Sequence, residues 1–129
     1  MANPNIVNVL SIYGKTTFLT PSVTTPVVLL SNATGTANSV KINNILVANV
    51  DGTNAISATV AMYTNGAVAQ GSAPSGGTQF PIIYQVSVPA GSTLTILDKT
   101  IYLEEDRSLV VTSGTASKIT YMVSYETIS

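Results

Sequence analysis

Apolar and polar residues alternate along most of this chain, and the alternation is clearest between Val40 and Thr64. Val40, Ile42, Ile45, Leu46, Val47, Ala48 and Val50 precede a polar turn, Val50-Asp51-Gly52-Thr53-Asn54. After it, Ile56, Ala58, Val60 and Met62 alternate with Ala55, Ser57, Thr59, Ala61 and Tyr63. A period of two marks strands with one dry face and one wet face. Asp-Gly between two such runs predicts a hairpin, because a tight turn needs residues that tolerate positive φ. The pattern therefore places a two-stranded unit at the centre of one sheet. The register slips at Asn43-Asn44. Without a bulge, Leu46, Ala48 and Val50 share the face of Val40 and Ile42; a β-bulge at the two asparagines turns Ile45 and Val47 inward instead.

The rest of the chain follows the same rule. Met1-Ala2-Asn3-Pro4-Asn5 reads as a short arm, with Pro4 holding Asn3 extended. Residues 6–129 read as a single domain. A first strand is expected from Ile6 to Tyr13 and a second from Lys15 to Leu19, separated by Gly14. Val27 to Leu30 is an apolar run suited to a strand buried on both faces. Ser31 to Asn38 is a polar loop. Thr64-Asn65-Gly66 predicts a second hairpin turn with a short return strand over Ala67 to Gln70, and Gly71 to Thr78 predicts a mobile loop. Phe80, Ile82, Tyr84, Val86 and Val88 alternate, and Pro89 to Ser92 turns the chain. Further strands are expected around Leu94 to Ile96, Thr100 to Leu103, Leu109 to Val111 and Ile119 to Tyr125. About eight to ten short strands at roughly ten-residue spacing, with no stretch of helical period, indicate a β-sandwich or barrel.

Composition narrows the function classes. Of the 129 residues, 9% are charged, against about 25% in ordinary globular chains. Thr, Ser and Asn take their place, giving a wet surface of hydroxyls and amides suited to pleated sheet. So few charges oppose association only weakly, which favours an oligomer or assembly. The formal net charge is −1 and no Lys/Arg cluster occurs, which argues against nucleic acid as a partner. There is no cysteine, hence no disulfide framework. No apolar run approaches about 20 residues, so no helical membrane span is expected. The N-terminus lacks a basic region followed by an apolar one, so a signal peptide is not expected and synthesis in a cytoplasm is.

Candidate chemistry is sparse. The chain has no histidine, which removes Ser-His and Cys-His pairs and His-based metal sites. Asp98, Lys99, Glu104, Glu105, Asp106 and Arg107 lie close together in sequence. The acids among them suggest a hard-cation site or a solvated turn between strands; neighbouring strand residues point to opposite faces and converge poorly. Glycoside hydrolysis needs two carboxylates beside a sugar cleft, and this chain has no Trp and two Phe. Asn32-Ala33-Thr34 has the form of a glycosylation acceptor but, with no secretion signal, reads as loop sequence. No catalytic residue, cofactor or metal is expected. Tyrosines suit interfaces because they bury area and keep one polar tip. Tyr63, Tyr84, Tyr102 and Tyr121, with Asn3, Pro4 and Asn5 of the arm, are the expected contact residues.

Four segments carry a resemblance: Ser11-Ile12-Tyr13-Gly14-Lys15-Thr16, Ala48-Asn49-Val50-Asp51-Gly52-Thr53-Asn54-Ala55, Ile101-Tyr102-Leu103-Glu104-Glu105 and Val123-Ser124-Tyr125-Glu126. Together they resemble small virion structural proteins of aquatic tailed bacteriophages, including those of cyanobacteria. The resemblance implies a non-enzymatic capsid decoration or cement protein with a jelly-roll-like antiparallel β-sandwich. It implies a homotrimer on the outside of the capsid, bound to the major capsid protein. Where such proteins carry an acidic Glu-Glu-Gly-Asp turn, this chain has Asp106-Arg107. A tail, neck or fibre module and a carbohydrate-binding module are the alternatives.

Overall fold

The computed structural model describes residues 11–97 and 99–129. Nine strands account for its regular structure: β1 (Ile12–Leu19), β2 (Val27–Asn32), β3 (Ser39–Asn49), β4 (Ile56–Tyr63), β5 (Gln79–Val88), β6 (Thr93–Leu97), β7 (Ile101–Leu103), β8 (Arg107–Ser113) and β9 (Ile119–Ile128). They form two antiparallel sheets. Sheet A has the order β1-β9-β3-β6, with β7 also paired to β3; sheet B has the order β2-β8-β4-β5. The pairings are nested: β1 with β9, β2 with β8, β3 with β6 and β7, β4 with β5. One long antiparallel ribbon is thus rolled into two layers, which is the connectivity of a jelly roll. The all-β sandwich expected from strand spacing is the fold of this protein.

The inner faces share one core. Val27, Leu29, Leu109, Val111, Ala58 and Val60 from sheet B meet Ile42, Ile45, Val47, Leu103, Tyr121 and Val123 from sheet A. Each large aliphatic side chain buried there contributes on the order of 1.5–3 kcal/mol. The bulge at the asparagines is real. The β3–β9 register shifts between Ile42 and Asn44, which turns Ile45 and Val47 fully inward and leaves Leu46 and Ala48 half-buried on the outer face.

The stretch from Val40 to Thr64 is not a hairpin. β3 lies in sheet A and β4 in sheet B, so the Asp51-Gly52 segment is a corner between layers. Asp51 Oδ1 accepts from the Thr53 and Asn54 amides at 2.8 and 3.2 Å, closing the turn without any β3–β4 ladder. Asn49, buried where β3 ends, donates through Nδ2 to Asn54 O and Val88 O and accepts from the Asp51 amide. Each strand is central in its own sheet. Elsewhere β1 runs unbroken through Gly14 where two strands were expected, and its expected start at Ile6 lies outside the described residues. Phe80 and Tyr84 were expected to share a face with Val88. Register shifts between β4 and β5 and a positive φ of 49° at Gln85 break that alternation and leave both rings exposed.

Residues 64–78 form a long connection rather than a hairpin with a return strand. This segment is also well anchored, unlike the mobile loop expected. Gly71 N donates to Val28 O and Val28 N donates to Ser72 O, at 2.8 and 2.9 Å. Gly77 N donates to the Tyr63 hydroxyl and Thr78 N to Thr64 Oγ1. Val68 packs on Val28, Tyr63 and Val110, a second cluster on the outer side of sheet B. β2 is accordingly buried on both faces, as its apolar run implied.

Candidate interaction surface

The outer face of sheet A is ordered in lateral rows set by strand register. One row is Gly14, Glu126, Lys41 and Tyr102. The next holds Thr16, Ser124 and Asn44, with the Thr16 and Ser124 hydroxyls 3.1 Å apart. The third is Phe18, Met122, Leu46 and Thr95, and beyond it Thr120, Ala48 and Thr93 align. Thr20 closes that last row through a 2.8 Å hydroxyl contact with Thr120. The face is therefore a hydroxyl ladder crossed by one apolar stripe. Between the last two rows lies a trough of about 200 Å³ lined by Leu46, Ala48, Thr93, Thr120 and Met122. Ligand pockets usually hold about 300–1,000 Å³, so the trough suits a protruding side chain of a neighbouring molecule better than a small substrate.

The four sheet edges differ. β2 is covered by the Gly71–Ser72 segment and carries a register shift between Val28 and Leu30. β5 contains Pro81, two register shifts against β4 and the kink at Gln85. β6 and β7 are five and three residues long and interrupted. Each of these devices protects an edge from adventitious pairing. β1 has eight residues in unshifted register with β9 and no proline. Ser11 and Ser129 exchange both backbone bonds, so alternation directs Tyr13, Lys15, Thr17 and Leu19 toward β9. The backbone groups of Ile12, Gly14, Thr16 and Phe18 then face outward. Phe18 O, on that side, accepts from Gln70 Nε2 at 3.2 Å, which agrees with this assignment. Among the described residues, no strand lies along β1 opposite β9.

Of the expected contact residues, Tyr84 and Tyr102 are exposed at 66% and 50%. Tyr63 and Tyr121 are not surface residues. Tyr63 is buried and its hydroxyl holds the Gly77 amide. Tyr121 lies in the core, where its hydroxyl donates to Thr112 O at 2.6 Å and burial pushes the phenol above its ordinary value. Both positions share the alternating pattern of exposed tyrosines, and only the register of distant strands separates them. Asn3, Pro4 and Asn5 lie outside the described residues. Ile12, Tyr13 and Phe18, exposed on β1, are not among the contact residues expected from sequence; their exposure follows from the edge position of β1, which is set by distant pairing.

The acidic turn does not gather its carboxylates. Glu105 is buried and its Oε2 accepts from the Gly35 amide at 2.8 Å. Asp106, at φ 61°, accepts from Gly66 N through Oδ1, and Glu104 is exposed. Glu105 and Asp106 thus clamp separate loops. No three His, Cys, Asp or Glu side chains among the described residues are placed to hold a metal ion. Asn32 ends β2 in a buried position, with Nδ2 donating to Asn38 O and Leu103 O and Oδ1 accepting from Thr36. It is a structural pin and not an accessible glycan acceptor.

No helix among the described residues is long and apolar enough to cross a membrane. No family model matches the chain, and the searches of curated proteins and of solved structures found no match either.

Proposed function

We propose that this protein is a non-enzymatic structural component of a bacteriophage particle, a decoration protein that binds the outside of the capsid and stabilises the head. The observation that carries the reading is spatial. The segments bearing the resemblance are far apart in sequence, yet parts of three of them, Ile12 to Thr16, Ile101 to Leu103 and Val123 to Glu126, lie in strands of sheet A. They supply Gly14, Tyr102 and Glu126 to a single lateral row. A hydroxyl-rich sheet face suits a broad, hydrogen-bonded and partly wet contact with a protein lattice. Such contacts, repeated over many copies, would resist the internal load of packed DNA through multivalency. The major capsid protein is the proposed partner and the virion exterior the proposed location.

Quantitative mass spectrometry of purified particles tests this reading. Hundreds of copies per particle are expected, and a handful of copies would assign the protein to the tail or neck instead. Paired substitutions Tyr102→Ala and Met122→Asp are expected to weaken binding to empty capsids at least tenfold while leaving Tm nearly unchanged, as measured by co-sedimentation. Undiminished binding would remove the outer face of sheet A from the account.

A further inference from the structure

Independently of the virion reading, we propose that β1 is the self-association edge of this protein, and that two copies join their A sheets by antiparallel β1–β1 pairing about a two-fold axis at Gly14. Ile12, Gly14 and Thr16 present both N–H and C=O away from β9 and meet no partner strand among the described residues, whereas Phe18 O is bonded to Gln70. A two-fold antiparallel pair must match residue i with residue j about a fixed centre. Centring on Gly14 uses the three open residues: Gly14 faces its own copy, and Ile12 and Thr16 face each other twice.

Side chains favour the same centre. It sets Lys15 of one copy opposite Tyr13 of the other, a cation beside an exposed ring, and keeps the two lysines out of register. Centring on Lys15 would place the lysines directly opposite one another, which disfavours pairing. Gly14 at the axis offers no side chain, and a Cβ built there meets no heavy atom of the described residues within 4 Å, so the backbones are free to approach. Ile12, Tyr13 and Phe18, exposed by 57%, 62% and 66%, lie along this strand and supply apolar area that pairing begins to cover. The other edges are protected by bulges, proline, brevity or the 64–78 segment, so this edge pairs with itself and builds a two-fold dimer in place of the trimer that the resemblance implies.

Sedimentation velocity over a concentration series decides the matter. A monomer–dimer equilibrium is expected, lost in Gly14→Pro, because proline removes the outward N–H without touching the β1–β9 ladder. The Tm of the dilute Gly14→Pro protein is expected to stay within a few degrees of the parent. Should that variant fail to fold, Tyr13→Glu and Tyr13→Lys decide: the glutamate variant, facing Lys15 of the other copy, should dimerise at least tenfold more tightly than the lysine variant. A monomer at every concentration, a trimer, a dimer surviving in folded Gly14→Pro, or equal dimerisation of the two Tyr13 variants would overturn the proposal.

Discussion

β1 and β2 are edge strands on the same side of the sandwich, one in each sheet, and they are finished differently. β2 carries Val27-Val28-Leu29-Leu30 and is enclosed on both faces. The 64–78 segment supplies backbone partners to Val28 and a hydrophobic partner, Val68, to its side chain. β1 carries Gly14-Lys15-Thr16-Thr17 and is mostly exposed. The difference follows solvation. An apolar edge left open would combine unpaired backbone with exposed hydrocarbon, the combination that drives aggregation. The Gly/Lys/Thr centre of β1 stays hydrated at little cost, and the exposed Ile12, Tyr13 and Phe18 beside it leave apolar area for a partner to cover. The fold uses its longest connection on the edge that needs cover.

The largest effect should come from breaking the covered edge. Val28→Asp places a charge in the sealed space beneath Val68 and Val110 and is expected to leave the domain unfolded in circular dichroism. Thr16→Asp on the open edge should change stability by less than about 0.5–1 kcal/mol. Next is Gly66→Ala. A Cβ there would sit 2.8 Å from Arg107 N and closer still to Asn32 O, both backbone atoms that cannot rotate away. The start of the covering segment must then shift, and urea denaturation should show a loss of about 1–3 kcal/mol.

Tyr63→Phe is a gentler test of the same cover. It deletes the hydroxyl that accepts from Gly77 N and keeps the ring, so about 1 kcal/mol should be lost. The pH dependence of stability offers a contrast between a sealed and an open group. Burial raises the pKa of Tyr121 in the folded state, so its contribution is fully present below the ordinary tyrosine value of 10 and is lost as pH rises above it. Tyr121→Phe should flatten the alkaline fall in Tm. Asp51 is lowered by bonds from the Thr53 and Asn54 amides, so its contribution is present above the ordinary value of 3.8 and lost as pH falls through its lowered range. Asp51 keeps solvent access at the corner, being only partly buried, and the acid limb of Asp51→Asn should differ from the parent only slightly.

Local sequence carried the strand pattern, the sandwich class, the two-sided burial of β2 and both possible registers at Asn43-Asn44. It misplaced the corners. An Asp-Gly turn between two alternating runs has the same local chemistry whether the second run returns beside the first or crosses to the other layer. Of the eight strand-to-strand connections, only 64–78 and the short β6–β7 link stay within one sheet. The choice is made by distant partners: β3 pairs with β9, whose residues lie some eighty positions away, and β4 pairs with β8. The same nonlocality separates Tyr121 from Tyr102, and it hid Asn32 and Asn49, polar residues closing apolar strands that are buried because each satisfies several backbone groups at a corner. The edge character of β1 was equally invisible, since it depends on what fails to pair with it.

Residue-resolved amide hydrogen exchange, followed as protein concentration is raised, tests the contrast between the two edges most directly. The Val28 amide, bonded to Ser72 O, should exchange slowly at every concentration. The Gly14 and Thr16 amides should exchange rapidly in dilute solution and become protected together as dimers form. Rapid exchange at Val28, or slow and concentration-independent exchange at Gly14 and Thr16, would contradict the account.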